Sequence, residues 1–383
     1  MEKCWLKCNS CNSLYDLHKL IGKCECGGIL LVEYNWEKVI ETFTIRNLKE
    51  RCSNMWRYLE ILPIKNKESI ISFGEGMTPL IRLPKLEKNL AINQIFVKRE
   101  EQNPTGSFKA RGFSSAISLL YEYGINKVAV PSNGNAASAL AAYSKRAGMH
   151  SYVVVPKDCS KNIIDECEYY GSELQTVDGY IHDAGHIIEK KVEAEGWFNV
   201  GTLREPGRLE GKKTMGYEVA EQLDWEFPDI IIYPTGGGSG VIGMWKAFKE
   251  LKKLGLVKNK LPKMIIVQEK GCDPIVKGIQ NKSSSVGTIE KITSSCTGMR
   301  VPFPPAGDLI LSIIRETNGT AISVSNEEIH YAQKLFGHNG ISSSPEGAAT
   351  LAGLITLKKQ GLVSPYERIV LFNTSHALKY SVN

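Results

Sequence analysis

The sequence predicts an α/β protein with parallel sheets covered on both faces, preceded by a small cysteine-rich module. Three observations carry that expectation. From about Ile95 onward, short apolar and β-branched runs recur, each followed by a helical stretch. Strands buried on both faces read as such unbroken runs, and their alternation with helices is the pattern of parallel sheets. Five of the ten cysteines fall within the first 26 residues. Finally, 383 residues, at roughly 150 per domain, allow two to three domains and a core that needs no disulfide scaffold.

The elements follow in chain order. Cys8 and Cys11 form a C-x2-C pair, and Cys24 and Cys26 form a tighter C-x-C followed by Gly27 and Gly28. Two such knuckles joined by a hairpin supply the four soft ligands of a tetrahedral structural zinc, and a double glycine lets the chain turn beside the second pair. Cys4 remains an alternative ligand, and a metal-free hairpin with unpaired thiols is the plainer reading. Cys52, Cys159, Cys167, Cys272 and Cys296 are scattered and read as ordinary residues. Lys127–Pro131 predicts a strand before an alanine-rich helix at 136–147. Ser151–Pro156 precedes a helical stretch containing Ile163, Ile164 and Cys167. Asp229–Pro234 leads into a glycine loop and a helix over 241–254, and Met264–Gln268 and Arg368–Phe372 are further buried strands. In such sheets ligands gather at the carboxyl ends of the strands, where loops meet helix N-termini.

Composition removes several classes. Hydrophobic residues are 42% and charged residues 23%, the globular average, which excludes disorder and collagen-like repeats. The net charge of +6 is spread along the chain, compatible with an anionic substrate but too diffuse for nucleic acid. No apolar run approaches the roughly 18 residues of a membrane span. The opening MEKCWLKCNSCN has no hydrophobic signal core, so the expectation is a cytoplasmic protein.

Four segments carry chemistry. In Asn103-Pro-Thr-Gly-Ser-Phe-Lys109-Ala-Arg-Gly112, Lys109 follows a Pro/Gly turn at the start of a predicted helix. A positive helix end disfavours its protonated form and favours a nucleophilic amine. Ser132-Asn133-Gly134-Asn135 follows a buried strand and can hold an anion or a ring hydroxyl; a turn with Asn135 as N-cap would equally justify it. In Pro234-Thr-Gly236-Gly237-Gly238-Ser239-Gly240, successive glycines let backbone N–H groups converge on a phosphate at the helix N-terminus. Gly238-x-Gly240-x-x-Gly243 also fits a dinucleotide fingerprint, with Glu269 as its ribose acid. By contrast Gly207-Arg-Leu-Glu-Gly211-Lys-Lys-Thr214 misses the Walker spacing by one residue. Phe372-Asn-Thr374-Ser375-His376-Ala-Leu-Lys379 ends the last strand; its hydroxyls suit a heteroaromatic nitrogen, and His376 reads as a cap or buried ring.

The order NPTGSFK, SNGN, GGGSG, TSHALK resembles the pyridoxal-phosphate enzymes of the tryptophan-synthase-β type (fold type II), and among them threonine synthase and its paralogues. Gly74-Glu-Gly-Met-Thr-Pro-Leu80, Arg208–Thr214 and Ser344-Pro-Glu-Gly-Ala-Ala-Thr350 add to the likeness, and the cysteine-rich start is similar to the zinc ribbon of many microbial members. The resemblance covers nearly the whole chain. It implies two parallel-sheet domains after the ribbon: residues 1–35 as the ribbon, 36–110 with 200–383 as a large cofactor-binding domain, and 111–199 as a small one. It implies that Lys109 binds pyridoxal 5'-phosphate as a Schiff base and acts as base at Cα. Asn135 would contact the ring hydroxyl, Gly236, Gly237, Gly238, Ser239 and Gly240 would cradle the phosphate, and Thr374 would meet the pyridine nitrogen. Ser132 and Asn133 would bind the substrate carboxylate and Arg208 the substrate phosphate.

The implied reaction converts O-phosphohomoserine and water to threonine and phosphate. The alternatives are β-replacement on O-phosphoserine, as in cysteate-synthase-like paralogues, and serine/threonine dehydration. A small amino-acid substrate, a homodimer, and neither nucleic-acid nor membrane partners complete the expectation. A nicotinamide dehydrogenase would explain only the 238–243 glycines, and a non-catalytic zinc-ribbon binder only the first 35 residues.

Overall fold

The structure, a computed structural model, describes residues 3–380. They form two compact units: one takes in the chain up to Met77 with Asn103–Thr105 and Lys109–Thr214, the other Thr78–Gln102, Gly106–Phe108 and Met215 onward. The helix Gly207–Gln222 is divided between the two.

The first unit begins with a three-stranded antiparallel sheet in the order Leu14–Tyr15, Cys4–Cys8, Leu30–Tyr34. Its two longer strands bury every second residue, the alternation of a sheet with one covered face. Further along lies a four-stranded parallel sheet in the order Glu173–Val177, His150–Pro156, Lys127–Pro131, Phe198–Asn199. Val128–Val130 and Ser151–Pro156 are buried without a break. The helix Ile181–Glu195 lays Ala184 and Ile188 against Ala129, Tyr152, Val154 and Trp197.

The second unit holds a six-stranded sheet. Thr320–Val324, Lys263–Glu269, Ile230–Pro234, Arg368–Asn373 and Gln94–Arg99 run parallel, and Leu80–Arg82 closes one edge antiparallel. Ile95, Val97, Ile230, Ile232, Ile265, Val267, Ile369 and Leu371 pack with Leu351 and Leu354 of the helix Pro345–Lys359 in one core. The parallel-sheet α/β class expected from the sequence is therefore present twice.

A buried carboxylate organises the approach to the Lys109–Glu122 helix. Glu75, fully buried, accepts from Trp56 Nε1 (3.0 Å), Ser72 Oγ (2.8 Å), Ser114 Oγ (2.6 Å), the Phe73 N–H (2.9 Å) and the Tyr143 hydroxyl (2.5 Å). Burial, and then Glu75 itself, hold the Tyr143 phenol well above its ordinary range, so it stays a donor. Ser118 Oγ accepts from the Ile71 N–H (2.7 Å), so the segment 71–75 is stitched to one helix face. Glu75→Gln turns an amide NH2 toward at least one donor, leaving it without an acceptor. The expected loss is about 1–3 kcal/mol, read as a lower urea midpoint at unchanged slope.

Candidate functional site

In the first unit, Lys109 opens the helix Lys109–Glu122 and is half-buried. Its approach is held from Asn103, whose Oδ1 accepts the Gly76 N–H (3.1 Å). The SNGN turn follows the strand Lys127–Pro131, and the next helix begins at Asn135 with Gly134 as its N-cap. Asn135 is thus the first helical residue rather than the cap. Ser132 Oγ accepts the Gly134 N–H (3.1 Å) and donates to the Gly134 carbonyl (2.9 Å). Ser132, Asn133 and Asn135 are all buried, so these polar groups sit at the carboxyl end of a sheet strand and not on an open surface.

Arg208 stands in the first turn of the helix Gly207–Gln222 and is 3% exposed. Its Nη1 donates to the Val200 carbonyl (2.6 Å), and the guanidinium lies 4.5 Å from the Phe113 ring centroid, a cation–π contact in a dry setting. Burial lowers its pKa to about 10 against the pull of Glu205. The glycines that the sequence shows at near-Walker spacing have a packing role. A Cβ on Gly211 would lie 2.1 Å from the Arg111 carbonyl oxygen, and one on Gly207 would lie 2.7 Å from Ala116 Cα. The Lys109 helix and the Arg208 helix therefore meet backbone to backbone.

In the second unit, the strand Ile230–Pro234 runs into Thr235–Gly238, and the helix Ser239–Lys253 begins with Gly238 as N-cap. Gly238 has φ +79°, a conformation glycine adopts without strain. A Cβ there would meet Ile310 Cδ1 at 2.1 Å, and one on Gly240 would meet the Tyr233 hydroxyl at 2.3 Å. Two of the glycines are thus demanded by close packing, while Gly237 and Ser239 remain half-buried. The first amides of this fifteen-residue helix have no intrahelical acceptor and point along the positive end of its dipole. That donor set fits a phosphate. Thr374 is buried, and its carbonyl accepts the Phe108 N–H (3.0 Å). Ser107 bridges to Ser375, and the His376 N–H donates to the Gly106 carbonyl (3.0 Å). The segment leading into Lys109 is accordingly paired with the TSH segment. His376 is a cap: its Nδ1 accepts the Leu378 N–H (3.1 Å).

Glu269 does not face a nucleotide ribose. Its carboxylate accepts from Ser294 Oγ (2.5 Å), Ser295 Oγ (2.9 Å) and the Cys296 N–H (2.7 Å). It holds the 294–296 segment, and the dinucleotide reading loses its acid.

The four cysteine sulfurs of the ribbon lie within 4.8 Å of one another. Separations are 3.5 Å for Cys8–Cys26, 3.6 Å for Cys11–Cys24 and 3.4 Å for Cys11–Cys26. Four thiolates at 2.3 Å from zinc stand about 3.8 Å apart, so the set fits the ion and is far too open for S–S bonds. A Cβ on Gly28 would lie 2.6 Å from Cys8 Sγ, which is why glycine follows the second pair. Cys4, the alternative ligand, lies outside this cluster. Sequence reasoning located the cluster but assigned no role to Glu75, for which the match at Gly74–Leu80 was the only signal.

Among the described residues no helix is long and apolar enough to cross a membrane. Residues 71–375 match the family described as pyridoxal-phosphate dependent enzyme. The threonine synthase of Methanocaldococcus jannaschii is 35% identical over 375 residues, covering 97% of this chain and 92% of that protein. The threonine synthase of Methanosarcina acetivorans is 35% identical over 377 residues, covering 98% and 92%. Among solved structures, maize serine racemase superposes with a TM-score of 0.68 at 22% identity, covering 78% of this chain and 88% of that one. Diaminopropionate ammonia lyase from Escherichia coli gives 0.69 at 18% identity, covering 81% and 87%; both structures share the fold. With a match running from the Glu75 segment to the Thr374 turn and near full-length kinship to two archaeal relatives, this chain belongs to the pyridoxal-phosphate dependent enzyme family, among its threonine synthase-like members.

Proposed function

We propose that this enzyme converts O-phosphohomoserine and water to threonine and phosphate. The observation that carries the reading is the near full-length kinship to threonine synthases, together with a buried arginine, Arg208, on the helix that crosses the Lys109 helix. Pyridoxal phosphate supplies, when bound, a sink for negative charge at the substrate α-carbon. Lys109 carries the cofactor and takes the proton from Cα. The amides of Gly236–Gly240 hold the cofactor phosphate, Asn135 its ring hydroxyl, and Thr374 offers the ring nitrogen a neutral hydroxyl. Ser132 and Asn133 orient the substrate carboxylate. Arg208 binds the substrate phosphate, keeping the leaving group in place while water adds at Cβ.

The test is direct. Cofactor-loaded protein given O-phosphohomoserine releases phosphate and forms threonine in equal amounts, while O-phosphoserine and serine give far slower turnover. Equal or faster turnover of either would replace this substrate assignment.

The same reading places zinc on Cys8, Cys11, Cys24 and Cys26, and takes the protein as a cytoplasmic homodimer, the latter checked by sedimentation. Elemental analysis is expected to find one zinc per chain. Cys8→Ser loses it, and the first 35 residues become sensitive to limited proteolysis. A Cys4→Ser protein keeps its metal.

A further inference from the structure

The cysteine-rich ribbon is built onto the segment that begins the helix Gly207–Gln222, and both lie within the first unit. Two contacts make the joint. Gly22, two residues before Cys24, is buried against the chain at Leu203. A Cβ there would overlap the Leu203 carbonyl oxygen and lie 3.0 Å from the Arg204 carbonyl carbon. Leu203 itself sits at φ +59°, a backbone conformation that persists only where the surroundings enforce it. Beyond the second cysteine pair, the strand Leu30–Tyr34 ends on a hydroxyl that donates to Glu210 Oε2 (2.6 Å). Lys213 Nζ pairs with the same oxygen (2.6 Å) and lies 4.3 Å from the Tyr34 ring centroid. Tyr34, Glu210 and Lys213 are each no more than 1% exposed, so a lost partner is not replaced by solvent.

Between these two contacts runs the second cysteine pair. The Leu30 N–H donates to the Gly22 carbonyl (3.0 Å), the Cys24 N–H to the Gly28 carbonyl (2.9 Å) and the Gly27 N–H to the Cys24 carbonyl (2.9 Å). Gly22 and Leu30 therefore close one loop around Cys24 and Cys26. Three short strands bury too little apolar surface to hold that loop alone, and in a four-thiolate module the binding energy of the metal is folding energy. On another face, the same segment meets the helix opened by Lys109, through Gly207 on Ala116 and Gly211 on Arg111. Residues 203–213 are thus clamped between the ribbon and the Lys109 helix, and only one side of the clamp depends on a metal.

We propose that zinc in the ribbon sets the position of residues 203–213, so that metal occupancy and the seating of the Gly207–Gln222 helix on the Lys109 helix are reciprocally linked. The inference rests on the zinc placement proposed above and adds a task to it. A closed four-cysteine site has no position open to substrate, so it acts on the reaction from outside. With zinc bound, the Gly22 and Tyr34 contacts are made and the helix is held. Without it, residues 22–34 loosen, Glu210 and Lys213 lose the hydroxyl and ring packed on them, and the helix start moves. Linkage requires the reverse as well: whatever displaces the helix weakens the hold on zinc.

The experiment compares hydrogen exchange of the full-length, cofactor-loaded chain with zinc bound and after stripping by a chelator, and times zinc release to a chromophoric chelator in variants. Amides of residues 203–213 are expected to exchange at least about fivefold faster without zinc, while those of the strands Ile230–Pro234 and Lys263–Glu269 keep their rates. Tyr34→Phe keeps the ring and removes the donor to Glu210; Gly211→Ala displaces the helix from its other side. Each is expected to release zinc at least about fivefold faster than wild type, and Gly185→Ala at the wild-type rate. Unchanged exchange at 203–213 after stripping, or wild-type zinc release in both Tyr34→Phe and Gly211→Ala, overturns the proposal. So does protection lost evenly across both units, because zinc would then hold the whole fold and not this segment. The exchange comparison uses wild type alone and decides even if a variant fails to fold. None of these readouts involves substrate, so the linkage and the reaction fail separately. A zinc-bound chain that turns over O-phosphohomoserine with 203–213 indifferent to the metal keeps the reaction and loses the linkage. A chain that shows the linkage without that turnover keeps the linkage and loses the reaction. A purified chain holding no zinc removes the metal placement and the linkage together.

Discussion

Lys109→Ala is expected to abolish phosphate release from O-phosphohomoserine, at least about 10³-fold below wild type, because under the proposed function it removes both the attachment point of the cofactor and the group that takes the Cα proton; a positioned proton-transfer group alone contributes about 10²–10⁴. The loss should be chemical and not structural. Lys109 is the first residue of its helix and only half-buried, and alanine is the strongest helix former. The turn before it is pinned independently, through the Phe108 N–H to the Thr374 carbonyl and Ser107 to Ser375. Melting of the cofactor-free variant should accordingly match that of cofactor-free wild type within a few degrees. Borohydride reduction followed by peptide mass analysis checks the assignment: the adduct sits on the peptide containing Lys109 in wild type and is missing in the variant. An adduct on another lysine would redirect the whole reading.

What could be read from the sequence follows the range of the interactions. The strands at 127–131, 151–156, 229–234, 264–268 and 368–372 announce themselves because fully buried parallel strands need continuous apolar runs, and the structure places a strand at each. Local spacing likewise sufficed for the four cysteines. Their sulfurs converge because each pair sits in its own short turn and the hairpin joins the two. Glu75 was not legible. Its donors come from residues 56, 72, 73, 114 and 143, so its role exists only after long-range packing. Glu269 misled for the converse reason: an acid after a strand suits a ribose until Ser294, Ser295 and Cys296 are seen to occupy it. Helix starts moved by one or two residues, from the expected 136 to Asn135 and from 241 to Ser239, because a glycine rather than a capping side chain begins each.

The glycines of GRLEGKKT make the sharpest case of a motif whose meaning is steric, and they supply the second large effect. Alanine at 211 adds one carbon at a point 2.1 Å from the Arg111 carbonyl oxygen and 2.8 Å from its carbonyl carbon. Both atoms are backbone, so no rotamer change relieves the overlap and the two helices must separate or slide. Arg111 lies two residues beyond Lys109 on the same helix, so the displacement is passed to Lys109, the amine to which the proposed function gives the proton transfer. Gly211→Ala is expected to cost about 1–3 kcal/mol in stability. Turnover should fall by about 10²-fold, the penalty of misplacing a reacting group by roughly an ångström. Gly185→Ala is the matched comparison. It is the same substitution inside the helix Ile181–Glu195, where a Cβ would meet nothing within 4 Å, and it should instead stabilise by about 0.5–1 kcal/mol with activity unchanged. Urea unfolding and phosphate release measured on the pair separate propensity from packing. If Gly211→Ala behaved like Gly185→Ala, the close crossing of the Lys109 and Arg208 helices would not be what positions the amine, and the reason for glycine at 211 would have to be sought elsewhere.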